Sequence, residues 1–186
     1  TLIKIINGLL TPTAGNITVM GEKIGTESKK VVAYLPDNSF LNSWMTVEQI
    51  VNMFKDFYED FREDRAYEML AKLGITPAVK LKTLSKGNKE KVSLILVMSR
   101  NAKLYVLDEP IAAVDPATRD YIISTIINNY NPEASVLIST HLISDIEQVL
   151  DDVIFILNNT YRFSYIVAFG VVCLYRHTDQ VVVSAV

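Results

Sequence analysis

Two adjacent carboxylates follow an apolar stretch in the second half of the chain. Leu104 to Leu107 has the composition of a buried strand, and Asp108 and Glu109 come directly after it, before Pro110. In open α/β sheets, ligands bind outside the carboxyl ends of the strands. There, one carboxylate can hold Mg²⁺ while the other orients a water molecule. Acidic pairs also end strands that carry no chemistry, so the pair by itself leaves both interpretations open.

A candidate anion site lies upstream of the carboxylates. Ser85, Lys86, Gly87 and Asn88 follow Leu84 at the predicted start of a helix. The backbone N–H groups and the dipole at a helix N-terminus attract anions. Glycine allows close approach of the backbone, and serine offers a hydroxyl group. A helix with an ordinary cap has the same pattern, so this segment supports an anion site only in combination with the other motifs.

Two further pieces follow the carboxylates along the chain. Asp115 and Pro116 form a strong helix start, with an N-cap residue and proline in the first helical position. Ser139, Thr140 and His141 end the next apolar strand. A single histidine is more often structural than catalytic. A histidine at the carboxyl end of a strand parallel to the first is a better candidate, because it shares the edge of the sheet with the carboxylates.

The elements that must position these residues alternate between strands and helices. Strands are predicted over residues 16–20, 31–35, 103–107, 135–139 and 153–157. Helices are predicted over 1–10, from 46 to about 58, up to a stop at 74, over 85–100, from 115, and over 144–150, with a polar hairpin connection at 21–30. This alternation predicts an α/β fold with a mostly parallel sheet and flanking helices. Residues 38–84 contain no strand pattern and are predicted to be a helical insertion.

Composition narrows the class of protein. The chain has 186 residues, of which 49% are hydrophobic and 21% charged, and its net charge is -3. These values exclude a fibrous or fully disordered protein and do not favour a nucleic-acid-coating surface. The single cysteine, Cys173, excludes an intrachain disulfide and a cysteine-built metal site. The longest apolar run, 165–175, is shorter than the roughly 20 residues of a membrane-spanning helix, so we expect a soluble chain or one attached through a partner.

In this order and spacing, the four pieces resemble the nucleotide-binding domain of the ATP-binding cassette (ABC) family. The resemblance covers residues 1–157, including a partial nucleotide-binding domain with the helical subdomain at 38–84. Residues 1–4 resemble the segment that follows the family's Gly-rich phosphate loop, and 9–15 resemble the turn before a strand. The resemblance implies a P-loop NTPase-like fold of the ABC type.

The resemblance also implies roles for individual residues. Asp108 would hold Mg²⁺, Glu109 would polarise the attacking water, and His141 would sense the γ-phosphate of ATP. Asp37, which ends the segment 34–37 that links nucleotide to the transport subunit, would meet Mg²⁺, and Thr1 could approach a phosphate.

Other implied contacts reach a second subunit. Residues 85–88 resemble the signature motif, which contacts ATP bound to the opposite subunit, and Asp115 resembles the acidic residue of the loop that crosses the dimer interface. The implied function is that of an ATP-binding and ATP-hydrolysing subunit of an ABC transporter. It would couple MgATP hydrolysis in a homo- or heterodimer to export or drug-resistance transport, at the inner face of the cell membrane, through a transmembrane partner.

Two alternatives accompany this interpretation. One is a soluble ABC ATPase of translation or DNA repair, although residues 38–84 leave no room for the long coiled coil of many such proteins. The other is a non-catalytic fragment that retains only protein contacts. No Gly-rich loop is present in the sequence, so we expect the chain alone to be a poor ATPase.

The sequence also departs from the family pattern. Asp37 stands where glutamine is usual, Lys86 and Asn88 replace a glycine and a glutamine, and Ala112 and Ala113 replace a small polar pair. Residues 158–186 do not look like the family. They are interpreted as one or two strands that cover the sheet edge, as an artefact of truncation or reading frame, or as a short lipid-contacting piece.

Overall fold

The structure, a computed structural model, describes residues 1–112, 114–131, 133–155 and 171–176. Seven strands are present in this part of the chain. They are β1 (Thr18–Val19), β2 (Glu22–Lys23), β3 (Val32–Leu35), β4 (Leu104–Asp108), β5 (Ser135–Thr140), β6 (Asp152–Phe155) and β7 (Val171–Arg176). β1 and β2 form a small hairpin, and the other five form one sheet in the order β3-β4-β5-β7-β6.

Six helices accompany the strands. They are α1 (Leu2–Ile6), α2 (Thr26–Val31), α3 (Val47–Phe57), α4 (Glu63–Lys72), α5 (Lys86–Met98) and α6 (Pro116–Asn129). Short 3-10 turns occupy Leu81–Thr83, Ile143–Asp145 and Glu147–Val149. The predicted α/β class is confirmed, because the strands β3, β4 and β5 are parallel and helices flank them.

Helix α5 lies between the sheet and the helical block, the part of the chain at 38–84 that contains α3 and α4. Leu94, Val97 and Met98 pack with α6 on one face of the sheet. Val92, Ile95 and Leu96 pack instead with α3 and α4, in the core of the helical block. Residues 92–98 of α5 are all buried, which agrees with the absence of a polar stripe in this part of the helix. The opposite face of the sheet is covered by α1 and β1.

The register of the parallel strands determines where the candidate site lies. Leu35, Leu107 and Ile138 lie side by side in the parallel ladder, so β3, β4 and β5 end at the same edge. Because the carboxyl ends of these parallel strands meet there, the residues that follow the three positions emerge together at that edge.

The structure corrects three expectations about helices. α1 ends at Ile6 rather than continuing to residue 10, since Gly8 turns the chain at φ 67°. Within the helix that is present, Ile3 and Ile6 are buried, whereas Leu9, beyond its end, is exposed.

Helix α2 occupies part of the predicted polar hairpin connection, 21–30. There the Ser28 hydroxyl bonds both backbone groups of Gly25 and begins the helix. Residues 144–150, predicted as one helix, form two 3-10 turns around Ile146, which is buried against the sheet.

The described part of the C-terminal segment is a strand inside the sheet. β7 pairs antiparallel with β5 on one side and with β6 on the other. A strand is present at 171–176, as one alternative expected, but it lies between β5 and β6 rather than at the edge of the sheet. Antiparallel insertion lets one short strand satisfy the backbone hydrogen bonds of two neighbours.

Arg100 connects the helical block to the sheet through hydrogen bonds. Its guanidinium donates to the Val32 and Lys30 carbonyl oxygens and to the Asp60 carboxylate, at 2.5, 2.6 and 2.9 Å. It also lies over the Tyr58 ring at 4.0 Å from the centroid. The side chain is 4% exposed, so these contacts compensate a buried charge.

Candidate functional site

Asp108 is the last residue of β4, and Ser139 lies beside it on β5. The Ser139 hydroxyl donates to Asp108 Oδ1 at 2.5 Å. The described residues place no hydrogen bond on the other oxygen, Oδ2. One oxygen of the carboxylate is thus fixed to the neighbouring strand, and the second is free to meet a cation.

Glu109 leaves the strand in an unusual backbone conformation. Its φ is 50°, in the left-handed region that non-glycine residues rarely adopt. Its N–H donates to the Ser139 backbone oxygen at 3.0 Å and to the Ser139 hydroxyl at 3.1 Å. These bonds support a conformation that costs about 1–3 kcal/mol. The turn separates the directions of two carboxylates that are adjacent in sequence.

His141 meets Glu109 across the sheet edge. Its Nδ1 lies 3.0 Å from Glu109 Oε2. A carboxylate only accepts hydrogen bonds, so Nδ1 carries the proton and donates it. The neutral ring then presents Nε2 as an acceptor, and the protonated ring presents it as a donor. The His141 side chain is 61% exposed and that of Glu109 is 29% exposed, so both are open to a ligand.

An open cleft of about 510 Å³ begins at this pair. Its walls come from the end of β3, from α5 and from the turn after β4. The charged and polar lining residues include Asp37, Lys86, Lys89, Glu90, Glu109 and His141. The cleft thus brings together residues from four of the predicted site segments, and its volume is that of a small-molecule site.

Tyr34 connects Asp37 with Asp108 electrostatically. Burial, and next the negative charges of Asp108 and Asp37, raise the pKa of Tyr34 to about 12. The phenol therefore stays protonated at neutral pH and remains a hydrogen-bond donor. Asp37 itself is exposed. The structure thus places Asp37 at the same edge as the carboxylate pair.

The N-terminus of α5 faces the cleft. Ser85 is the N-cap, and its hydroxyl accepts the Asn88 N–H at 3.3 Å. Lys86 Nζ lies 3.9 Å from Glu90 Oε1. Glu90 Oε2 is buried and finds no hydrogen-bond donor within the part of the chain that the structure describes. Burial raises the pKa of Glu90, the Lys86 cation lowers it, and the Asp115 charge raises it.

Asp115 caps α6 beside the start of α5. Its carboxylate accepts the Thr118 N–H at 3.0 Å and the Thr118 hydroxyl at 2.7 Å, and these two bonds lower the pKa of Asp115. A Cβ atom on Gly87 would lie 3.0 Å from Thr118 Oγ1. Gly87 therefore lets the starts of α5 and α6 pack together, a role that the sequence did not indicate.

The structure brings part of the predicted site together, and Ser85, Gly87, Asn88 and Asp115 are not among the residues that line the cleft. Asp37, Lys86, Glu109 and His141 share the cleft, and Asp108 adjoins it. Thr1 caps α1 without a side-chain hydrogen bond and is not among the residues that line the cleft.

Sequence reasoning did not single out two residues whose contacts shape this region. Ser139 was recognised only as part of the segment before His141, and Glu90 was not considered. The signal for Ser139 was available, since a polar residue near the end of a buried strand needs a hydrogen-bond partner.

The residues present fit a nucleotide with a divalent cation. Among the described residues, no group of three or more metal-ligating side chains could hold a metal ion alone. Mg²⁺ commonly binds through one or two carboxylates together with substrate phosphates and water. The free oxygen of Asp108 and the nearby Asp37 suit that arrangement better than a protein-only metal cage.

The fold is of the ABC type: a parallel sheet with adjacent carboxylates at its edge, a histidine directly after the next strand, and a capped helix across the cleft. The chain belongs to the ABC transporter family, whose model matches residues 1–112. No helix in the described ranges is long and apolar enough to cross a membrane.

Several curated proteins are similar over most of the chain. The uncharacterised ABC transporter ATP-binding protein YxlF of Bacillus subtilis (strain 168) is 29% identical, covering 85% of this chain and 54% of that protein. YdbJ, another such protein of the same organism, is 30% identical, covering 84% and 53%. The linearmycin resistance ATP-binding protein LnrL, also from that strain, is 27% identical, covering 81% and 51%. The chain thus spans about half the length of these relatives.

Solved structures have the same fold. A chain described as the ATP-binding subunit of an ABC transporter superposes with a TM-score of 0.69 at 27% identity, covering 79% of this chain and 65% of that one. A putative ABC transporter ATP-binding protein from Pyrococcus furiosus gives 0.64 at 26% identity, covering 74% and 70%.

Proposed function

We propose that this chain is the ATP-binding and ATP-hydrolysing part of an ABC transporter, in which MgATP hydrolysis drives export or drug-resistance transport by a membrane partner. The observation that carries the proposal is the 3.0 Å contact between Glu109 and His141 at the mouth of the cleft, beside Asp108. The similarity to a linearmycin resistance ATP-binding protein supports the drug-resistance class.

Glu109 acts as the general base in the proposed reaction. Its carboxylate accepts a proton from water while the water oxygen forms a bond to the γ-phosphorus of ATP and the bond to the β,γ-bridging oxygen breaks. ADP and phosphate leave. His141 holds Glu109 through Nδ1 and offers Nε2 to a γ-phosphate oxygen, which it stabilises when protonated.

Asp108 would hold Mg²⁺ through its free oxygen, and the cation would supply charge neutralisation on the phosphates. Asp37 is proposed as a second carboxylate for the cation, since both charges act on Tyr34. Without the cation, like charges at this edge repel. In the protein with a phosphate loop joined ahead of Thr1, Asp37→Gln should therefore shift the Mg²⁺ concentration that gives half-maximal hydrolysis, with little change in melting temperature. An unchanged Mg²⁺ curve would remove Asp37 from the site.

A second nucleotide-binding domain is proposed to complete the site. Ser85 to Asn88 lie at the N-terminus of α5, a 13-residue helix whose exposed end offers N–H groups to an anion. Asp115 lies at the adjoining N-terminus of α6. Because these two ends pack together at Gly87, one partner surface can contact both. Thr1 remains a proposed phosphate contact from α1.

The helical block is proposed to be the surface on which the membrane partner docks, at the inner face of the membrane. Trp44 is 65% exposed and Phe57 is 76% exposed, although large aromatic side chains usually avoid water. Phe40 lines the cleft and makes a tilted ring contact with Phe54 of α3, with centroids 6.0 Å apart. The segment around Phe40, which lines the cleft, therefore packs directly on the helical block. This contact provides a route from the nucleotide to the membrane partner.

Hydrolysis is the deciding experiment, measured with a Gly-rich phosphate loop of the family joined ahead of Thr1. Glu109→Gln should keep ATP binding and lower turnover by about 10²–10⁴-fold, the usual effect of losing a general base. Glu133→Gln is the matched control, because this carboxylate is 77% exposed and pairs with Lys103 at the other end of the sheet.

The outcomes separate the alternatives. Equal turnover in Glu109→Gln and the unsubstituted protein would refute the catalytic role. No turnover in either protein, with binding partners retained, would favour a non-catalytic subunit. Hydrolysis that does not respond to Trp44→Ala and Phe57→Ala in membranes containing the transporter would favour a soluble ABC ATPase.

A further inference from the structure

The segment after His141 has little regular structure to hold it. Two 3-10 turns replace a helix. One is closed by a bond from the Asp145 N–H to the Leu142 oxygen at 3.3 Å, and the other by a bond from the Val149 N–H to the Ile146 oxygen at 3.0 Å. Such turns have poorer hydrogen-bond geometry than an α-helix. Because the His141 ring is mostly exposed, its position follows its backbone, and side-chain contacts of this segment decide where the ring lies.

Arg119 of α6 provides such a contact. Its Nη1 donates to Asp145 Oδ2 at 2.5 Å, and both side chains are only 27% exposed. Hydrogen bonds between ionised groups are stronger than neutral ones, and partial burial reduces screening by water. Arg119 Nε is buried and finds no acceptor among the described residues, so the guanidinium is held at this position mainly through Asp145.

The ion pair joins two parts of the proposed site. The Arg119 N–H donates to the Asp115 backbone oxygen at 3.0 Å, in the first turn of α6. Asp145 lies four residues after His141 along the chain. From the inner side, the Thr140 hydroxyl accepts the Leu142 N–H at 3.0 Å and fixes the intervening turn. The start of α6 and the His141 segment are thus connected through one side-chain contact.

We propose that Arg119 is a positioning residue for His141. Its ion pair with Asp145 holds the His141 segment against α6, keeps the imidazole within hydrogen-bond distance of Glu109, and ties that contact to the helix start at Asp115. A displacement of the Asp115 region by a second subunit would then reach the His141–Glu109 contact. The inference rests on the proposed function for what this contact does, but not for where His141 is held.

The test follows the His141 ring by NMR in this chain. The sequence contains two histidines, and His141→Gln assigns the ring Cε1–Hε1 signals. Glu109→Gln defines the shift that accompanies loss of the carboxylate contact. Arg119→Gln and Asp145→Asn should each move the His141 signal in that direction. In either background, adding Glu109→Gln should move the signal much less than in the unsubstituted chain. Lys103→Gln, which breaks the exposed pair with Glu133, is the control and should leave the signal in place.

Charge reversal keeps the test decisive if a single variant does not fold, as judged by circular dichroism. Arg119→Asp combined with Asp145→Arg should restore the original signal. A folded Arg119→Gln or Asp145→Asn with an unchanged His141 signal would overturn the proposal, as would a folded reversed pair whose signal matches Glu109→Gln. Failure of the proposed function is read separately, from ATP turnover of Glu109→Gln, because the NMR signals require no nucleotide.

Discussion

Ser139 and Asp108 lie opposite each other in the β4–β5 ladder, and the Ser139 hydroxyl donates a 2.5 Å hydrogen bond to Asp108 Oδ1. The same hydroxyl accepts the Glu109 N–H at 3.1 Å. One small side chain therefore fixes both an acidic side chain and the backbone turn of the next residue. This explains how two carboxylates that are adjacent in sequence come to have different environments.

Ser139→Ala should lower ATP turnover with little change in ATP affinity. A hydrogen bond to a charged group contributes about 1.5–3 kcal/mol, so loss of the hydroxyl should reduce kcat by about tenfold or more. Ser139→Thr keeps the hydroxyl and should retain most activity. Steady-state kinetics on the protein with a phosphate loop joined ahead of Thr1 measure both.

Ser135→Ala is the matched control for Ser139→Ala, because Ser135 is buried at the opposite end of the same strand. It should leave kcat unchanged. If Ser135→Ala and Ser139→Ala lower turnover equally, the effect is one of strand stability, and the positioning role of Ser139 is refuted.

Gly87→Ala should destabilise the chain because of Thr118. The added Cβ would lie 3.0 Å from Thr118 Oγ1, which is held by Asp115 at 2.7 Å and cannot easily move. Overpacking of this kind costs about 1–3 kcal/mol, whereas the gain in helix propensity is at most about 1 kcal/mol. In the Thr118→Ala background the clash is absent, so Gly87→Ala should become neutral or stabilising.

Urea unfolding of the four proteins in this cycle measures the coupling. Gly25→Ala serves as the control, because the nearest atom to its added Cβ would be a backbone oxygen 3.9 Å away. Additive effects of Gly87→Ala and Thr118→Ala would show that the two helix starts do not depend on this contact.

Arg100→Met should destabilise the chain strongly. The side chain is 4% exposed and bonds Asp60 and two backbone oxygens, so its loss leaves a partly buried carboxylate and unpaired carbonyl groups. Breaking a buried pair typically costs about 3–5 kcal/mol. Arg62→Gln breaks a neighbouring ion pair that is 59% and 69% exposed and should barely move the urea midpoint. Equal midpoints for the two variants would contradict the role assigned to Arg100.

Glu90 should make the chain less stable as pH rises. Burial raises the pKa of Glu90 above its ordinary value, so the folded state binds its proton more tightly than the unfolded state. The resulting stabilisation is complete below the unfolded pKa and is lost as pH rises through the folded pKa. Glu90→Gln should therefore raise the melting temperature at pH 7 relative to the unsubstituted chain, and the difference should shrink toward pH 4. A difference that is independent of pH would contradict this.

Local patterns in the sequence determined much of the fold. The helix predicted from residue 46 begins with a capping box of Thr46 and Gln49, with bonds of 2.9 and 3.2 Å, and Asp115 with Pro116 begins α6. These signals are reliable because each depends on atoms within one helical turn. The parallel arrangement of β4 and β5 likewise followed from the strand–helix alternation, and it placed Glu109 and His141 at one edge.

Contacts between distant segments were decided only by the tertiary structure. The bond of Ser139 to Asp108 joins residues 31 apart, and the ion pair of Arg119 with Asp145 joins residues 26 apart. No local pattern encodes such pairs, because they depend on strand register and on the angle between a helix and a loop. The same holds for β7, whose place between β5 and β6 depends on which backbone groups were left unpaired. The sequence by itself therefore determined which side chains could do chemistry at the sheet edge, while the packing of separate elements decided how those side chains are held there.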